Sequence, residues 1–204
     1  LPHEELSIAR EITSALNIEH RIITTEELKN KNFSDNPPDR CYYCKKELFS
    51  KLKDIATKEN FSFILDGTNT DDTRDHRPGR RAAKEMGVHS PLLNAGLSKK
   101  EIREISRTLG LPTWNKPATP CLSSRFPYGQ KITAEGLERV NRAENFLKRL
   151  GLTDIRVRDH SGIARIEVIQ EEFAILMEKN NRKEIITLLK SLGYKYITLD
   201  LQGF

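Results

Sequence analysis

The chain has 204 residues, 37% of them hydrophobic and 31% charged, and its 34 lysines and arginines outnumber its 29 aspartates and glutamates to give a net charge of +5. That composition belongs to an ordinary globular protein and excludes a disordered or fibrous one, while no apolar run approaches the roughly 18 residues of a membrane-spanning helix. The length allows a hydrophobic core without covalent staples, in one large domain or two small ones.

In chain order, residues 1–17 show helical apolar spacing through Leu6, Ile8, Ala9, Ile12, Ala15 and Leu16, and Arg21–Thr24 reads as a short strand. A helix followed by a strand is half of an α/β unit, so the chain is expected to begin in mid-fold. Lys31–Arg40 is a loop by its Pro37-Pro38 pair, and Cys41–Asn60 returns to helical spacing. Phe61–Asp66 reads as a buried strand that runs into Gly67-Thr-Asn-Thr-Asp-Asp72, a loop at the strand's carboxyl end, where open α/β sheets bind ligands. Gly79–Gly87 is a short helix, and Ser98-Lys-Lys-Glu101 is a capping box for a helix to about Leu109, stopped by Gly110.

Pro112–Tyr128 holds too much proline for a helix or a central strand; structureless loops of that length are usually functional or disordered, and Cys121, Ser123, Ser124 and Arg125 within it favour function. After Gln130 come a helix over Thr133–Leu150, strands over Asp154–Asp159 and Ile163–Ile169 joined by His160-Ser-Gly, helical residues to Leu192, and a strand over Tyr194–Leu201. This αββαβ order predicts a small α+β domain of ferredoxin-like type, with the domain boundary near residue 130.

The basic residues interleave with acidic ones, as on a solvated surface, and RNA-binding signatures are missing; a phosphorylated small molecule accounts for the charge equally well. No signal-peptide pattern opens the chain, and its three cysteines are an odd number, so a cytoplasmic protein without a disulfide framework is expected, with no membrane and no nucleic-acid partner.

Those thiols are the first candidate site. Cys41-Tyr-Tyr-Cys44 opens a helix, where the amino terminus favours the thiolate, and two thiolates at this spacing can share a metal. Spacing alone leaves three readings open: zinc completed by Cys121 and by His76 or His89, a redox pair, or a three-cysteine iron–sulfur cluster with an open iron. Pro120-Cys-Leu-Ser-Ser-Arg125 puts a thiol, hydroxyls and a guanidinium within one turn, the usual setting of a nucleophilic cysteine. The loop Asp66–Asp72 offers Gly67 for close backbone approach, and Asn69, Asp71 and Asp72 for a nucleotide or its Mg²⁺. Arg74, His76, Arg77, Arg80 and Arg81 form a basic cluster that reads either as a phosphate clamp or as a solvated helix face. Arg156, Arg158, Arg165 and Glu167 alternate with apolar residues on the two predicted strands, so they share one sheet face; facing arginines repel unless an acid or an anion lies between them.

Taken together, Cys41-Tyr-Tyr-Cys-Lys-Lys-Glu-Leu-Phe, Asp66-Gly-Thr-Asn-Thr-Asp-Asp, Arg77-Pro-Gly-Arg, Ser90-Pro-Leu, the block from Trp114 to Arg125 and Arg156-Val-Arg resemble the LarE family. These are PP-loop ATP pyrophosphatases that transfer sulfur to a pyridinium dicarboxylate mononucleotide during synthesis of the nickel-pincer cofactor of lactate racemase. The resemblance implies an α/β fold: a parallel-sheet, adenine nucleotide alpha hydrolase-like domain over residues 1–130, and a small α+β domain over 131–204 for substrate binding and oligomerisation. It implies ATP, Mg²⁺ and a [4Fe–4S] cluster as cofactors, the cluster held by Cys41, Cys44 and Cys121 with sulfide on its free iron. In members without the CxxC, the residue matching Cys121 is itself the sulfur donor. Gly67, Asn69, Asp71, Asp72, Arg125, Arg156, Arg158 and Glu167 become binding residues, with Arg156 and Arg158 on the substrate phosphate, and a homo-oligomer is expected. The family's Ser-Gly-Gly-x-Asp-Ser loop has no counterpart in these 204 residues, so the first domain is expected to be incomplete at its N-terminus, its first strand and loop coming from a longer chain or a partner. Two rival readings are a related tRNA-thiolating enzyme and a non-catalytic substrate- or metal-binding fragment.

Overall fold

A computed structural model of the chain describes residues 3–73, 77–117 and 119–203. It divides into two units, Leu1–Thr119 and Pro120–Phe204. The division falls upstream of residue 130 because Phe126 and Ile132 are buried within the second unit. Among the described residues no helix is long and apolar enough to cross a membrane.

The first unit runs through α1 (His3–Ala15), α2 (Lys31–Ser34), α3 (Arg40–Lys58), α4 (Pro78–Glu85), α5 (Pro91–Asn94) and α6 (Lys99–Thr108). Its main packing joins α3 to α4 through Tyr42, Phe49, Ala82 and Ala83, with Leu52, Ile64 and Met86 against them. Gly79 permits that approach, since a Cβ there would stand 2.9 Å from Lys45 Cγ and 3.4 Å from the Cys41 carbonyl oxygen. α6 begins at the expected capping box: Ser98 Oγ accepts the Glu101 N–H, and Glu101 accepts the Ser98 N–H at 2.8 Å. Within the segment expected as loop, α2 forms because Asn30 caps it by accepting the Asn32 N–H.

Two expected strands are corrected. Arg21–Thr24 is irregular, with Ile22 exposed, and Phe61–Asp66 makes only an isolated parallel bridge from Leu65 to His89. A strand exists by pairing. One edge of this segment is served by Asp66 N–H to His89 O and by His89 N–H to Ile64 O, both 2.9 Å; among the described residues no other strand pairs with it. Ile64 packs toward α3 and α4, whereas Phe61, Phe63 and Leu65, on the alternate face, are 59%, 66% and 60% exposed rather than buried.

The second unit follows the expected order: α7 (Ala134–Arg149), β1 (Ile155–His160), β2 (Ile163–Val168), α8 (Phe173–Met177), α9 (Lys179–Ser191) and β3 (Tyr196–Leu199). β1 and β2 pair antiparallel around a two-residue turn whose Ser161 and Gly162 both have positive φ, as the right-handed strand twist demands. β3 lies directly beside β2 and parallel to it, in the order β1-β2-β3. That placement departs from the ferredoxin-like pattern, in which another strand separates the pair flanking the second helix. Val140, Ala143 and Leu147 of α7 recur at helical spacing and are fully buried, Ala143 and Leu147 in one core with Val157, Ala164, Val168 and Leu189. Replacing Leu147 by Ala should therefore lower stability by about 2–5 kcal/mol, read as a fall in the urea midpoint, since this packed layer cannot collapse onto the void.

Candidate functional site

In the first unit, Cys41 and Cys44 occupy the opening turn of α3, three residues apart and thus on one helix face, and both are half-buried. The turn is set from below. Arg40, 5% exposed, donates from Nη1 to Asn36 Oδ1 at 2.9 Å, and Asn36 is fully buried in a left-handed conformation. The pair presents two sulfur donors at a helix amino terminus, whose partial positive charge stabilises thiolates. Within this unit, among the described residues, no third His, Cys, Asp or Glu joins them as a metal ligand. His89 stacks edge-on against Phe63 with ring centres 5.1 Å apart; His76 lies outside the described residues, as does Arg74.

The rest of the basic cluster is dispersed. Arg77 pairs with Asp72 at 2.8 Å, Arg81 lies 4.0 Å over the Tyr42 ring, and Arg80 lines a cleft of ≈ 240 Å³ together with Asp66, Thr68, Ser90 and Asn94.

The loop after Asp66 is held by its own acids. Asp66 accepts the Thr68 N–H at 3.1 Å, the Thr68 hydroxyl at 2.8 Å and the Ser90 hydroxyl at 2.7 Å. Burial pushes the Asp66 carboxyl up, and the hydrogen bonds from Ser90 and Thr68 together outweigh it, leaving the group below its ordinary value. Asn69 accepts the Asp71 N–H and donates its own to Asp72, both at 3.0 Å, while Asp71 accepts the Lys99 N–H at 2.7 Å. Gly67 has no positive φ, and a Cβ added there would meet nothing within 4 Å. The space beside its backbone is therefore open to an approaching group.

In the second unit Cys121 is exposed and precedes the 3-10 turn Leu122–Arg125. The far end of that turn is anchored: Arg125, 3% exposed, donates through Nε (2.7 Å) and Nη2 (3.1 Å) to Glu144, itself buried, and through Nη1 to Ser124 Oγ (2.9 Å). Glu144 also accepts the Val157 N–H at 2.9 Å and so binds turn, helix and strand together. Arg125 is thus not a bare cation beside the thiol; its charge is met by Glu144.

Arg156, Arg158 and His160 of β1 share a face with Arg165 and Glu167 of β2, in the register Arg156 opposite Glu167 and Arg158 opposite Arg165. Glu167 is the acid that relieves the repulsion, accepting from Arg158 Nε and Nη2 at 2.9 Å each and from Arg165 Nη2 at 2.8 Å. Arg158 Nη1 donates to the Ser124 carbonyl at 2.9 Å, which joins the thiol's turn to this face. Partial burial, followed by the like charges of Arg125 and Arg158, holds Arg156 below its ordinary guanidinium value. The structure gathers Arg125, Arg156, Arg158 and Glu167 around one strand, and it keeps Gly67, Asn69, Asp71 and Asp72 together in the loop of the first unit.

The sequence reading missed Glu144. Its signal was a carboxylate inside the apolar stripe of α7, between Val140 and Leu147. It also missed Asp159, fully buried on the core side of β1, which accepts from Arg139 Nη2 at 2.6 Å and Gln130 Nε2 at 3.2 Å.

No family model matches the chain. It is 46% identical over 98% of its length to an uncharacterized protein of Synechocystis sp., covering 75% of that protein. It is 38% identical, again over 98% of its length, to the pyridinium-3,5-bisthiocarboxylic acid mononucleotide synthase of Lactiplantibacillus plantarum, covering 72% of it. An uncharacterized protein of Methanocaldococcus jannaschii is 36% identical over 82% of the chain, which covers 64% of that protein.

The two ion-pair sites should respond differently to truncation. Glu144→Ala strands a buried guanidinium and should cost about 3–5 kcal/mol, whereas Arg165→Ala removes a partly exposed charge and should cost under about 1 kcal/mol; urea unfolding of both variants checks the contrast.

Proposed function

The chain belongs to the LarE family, that of the Lactiplantibacillus plantarum pyridinium-3,5-bisthiocarboxylic acid mononucleotide synthase, and on that footing we propose that it is an ATP-dependent sulfur transferase acting on a pyridinium dicarboxylate mononucleotide in nickel-pincer cofactor biosynthesis. The observation that carries the reading to the site is the Arg158 to Ser124 hydrogen bond, which fixes an exposed thiol turn to an arginine-rich face.

In this reading a substrate carboxylate oxygen attacks the α-phosphorus of ATP. The bond to the β-phosphate bridging oxygen breaks, pyrophosphate leaves with its electron pair, and an acyl adenylate results. A hydrosulfide sulfur then adds to the acyl carbon, AMP departs with the electrons of the broken C–O bond, and a thiocarboxylate remains. The open backbone at Gly67 receives ATP, with Asn69 and Asp72 holding the loop's shape. Asp71, exposed and with one oxygen on Lys99 N–H, would hold Mg²⁺, which would offset polyphosphate charge. Arg156 and Arg158 attract the substrate phosphate, Glu167 orients Arg158, and Arg125 supports the turn that presents Cys121.

The donor set of Cys41, Cys44 and Cys121 suits a [4Fe–4S] cluster: all three are thiols, and none is fully buried or disulfide-bonded. When bound, a cluster with three protein thiolates supplies an iron open to sulfide. A second reading, with Cys121 as the sulfur donor, is favoured by the exposure of that one thiol.

Anaerobic reconstitution with iron and sulfide, followed by Mössbauer spectroscopy and by mass measurement after turnover with ATP and substrate, separates the two. The expected result is a cluster signal with an unchanged polypeptide mass. A polypeptide that has lost one sulfur and gives no cluster signal establishes the second reading and overturns the first.

A further inference from the structure

Two buried nitrogens on the arginine face lack hydrogen-bond partners among the described residues: Nε2 of His160 and Nε of Arg165. Arg165 Nε has Asp200 Oδ2 at 3.6 Å, an ion pair beyond hydrogen-bond length. The two residues are diagonal neighbours, because Arg158 lies opposite Arg165 and His160 opposite Ile163. Diagonal pairs across an antiparallel ladder stand roughly 7–8 Å apart, within reach of long side chains and of a common ligand. Buried polar atoms are nearly always satisfied, and each exception asks for a partner.

The charge on the face points to what that partner is. Arg156, Arg158 and Arg165 face the acids Glu167 and Asp200. One positive charge is left over, and a proton on His160 makes a second, which matches a phosphate-type dianion. Arg165 keeps 41% of its side chain in solvent, so its guanidinium is able to swing toward an incoming group. The charged groups that act on His160 are Arg158, Arg165 and Glu167 on its own face and Asp159 from the core side of β1.

We infer that Arg165 and His160 form a proton-coupled oxyanion subsite, in which a phosphate-type dianion bridges the guanidinium and the imidazole Nε2 and its binding takes a proton onto His160. This rests on the reading that the face receives the substrate's phosphate. It extends that reading by assigning a specificity role to two residues outside the Arg-Val-Arg pair and by making affinity depend on pH. Without a ligand, burial and then Arg165 and Arg158 hold His160 below its ordinary imidazole value, so it is neutral near pH 7. A bound dianion reverses the field and raises that value. By linkage, affinity rises as pH falls through the interval between the free and bound values.

Sulfate is the suitable probe, because it stays dianionic across the range in which imidazole titrates. Sulfate binding to the full chain is measured by calorimetry between about pH 5.5 and about pH 7.5, together with proton NMR of the His160 ring, for the wild type and for His160→Gln, His160→Ala and Arg156→Ala. The expected wild-type affinity climbs toward acid with a limiting slope of about tenfold per pH unit. The His160 titration should shift upward in sulfate, and both His160 variants should bind with no pH dependence. If His160→Gln keeps the wild-type slope, or the ring titration ignores sulfate, the inference is overturned while the phosphate reading stands, provided Arg156→Ala still weakens binding. If no sulfate binds at any pH, the face is not an anion site and both readings fall.

Discussion

The Glu144 carboxylate is the point from which the second unit's site is built. It lies on the buried side of α7, takes two nitrogens of Arg125, and accepts the Val157 N–H from β1. Two charges withdrawn from water are tolerated only when pairing geometry and further hydrogen bonds compensate. Here the fork of Arg125 meets both carboxylate oxygens, and its remaining nitrogen reaches Ser124 Oγ. The result is positional. The Leu122–Arg125 turn is held at one end, and Cys121 is left in solvent at the other. The Ser124 carbonyl is left to receive Arg158. Chemistry at an exposed thiol gains from such a rigid base, because the reacting atom's place is set by buried groups rather than by the loop itself.

The loop after Asp66 and the arginine face of the sheet follow one pattern. In each, acidic side chains are engaged by neighbouring groups of the same unit, and the open surface is left to other groups. Asp66, Asn69, Asp71 and Asp72 satisfy backbone amides and hydroxyls, and the space beside Gly67 stays open. On the sheet of the second unit, Glu167 and Asp200 take up part of the arginine charge and leave the face positive. A site built this way attracts anions without collapsing on its own salt bridges.

Much of this was legible in the sequence where a local rule dominates. The Ser98 capping box, the helix behind Cys41 and Cys44, the Ser161-Gly162 hairpin and the period-two placement of Arg156, Arg158 and Glu167 each depend on neighbours within a few residues. Glu167 as the acid between arginines followed from the same alternation. What failed depends on distant pairing. Phe61–Asp66 has the composition of a buried strand, yet burial and strand character both require a second element along its edge. The ferredoxin-like expectation failed for a similar reason, since strand order is not written in the αββαβ sequence of elements. Glu144 was hidden because a charged residue in an apolar stripe announces a buried partner without naming it. Arg125 was read as an activating charge for the same lack of a partner.

The claim that Glu144 locks the thiol's turn to the sheet is tested most directly by amide hydrogen exchange on wild type and Glu144→Gln. The account predicts that the variant loses protection at Val157 and, with it, at Ser124 and Phe126, whose N–H groups close the turn on Cys121 and Ser123. Exchange at Ser124 and Phe126 that stays at the wild-type rate while Val157 opens would contradict it.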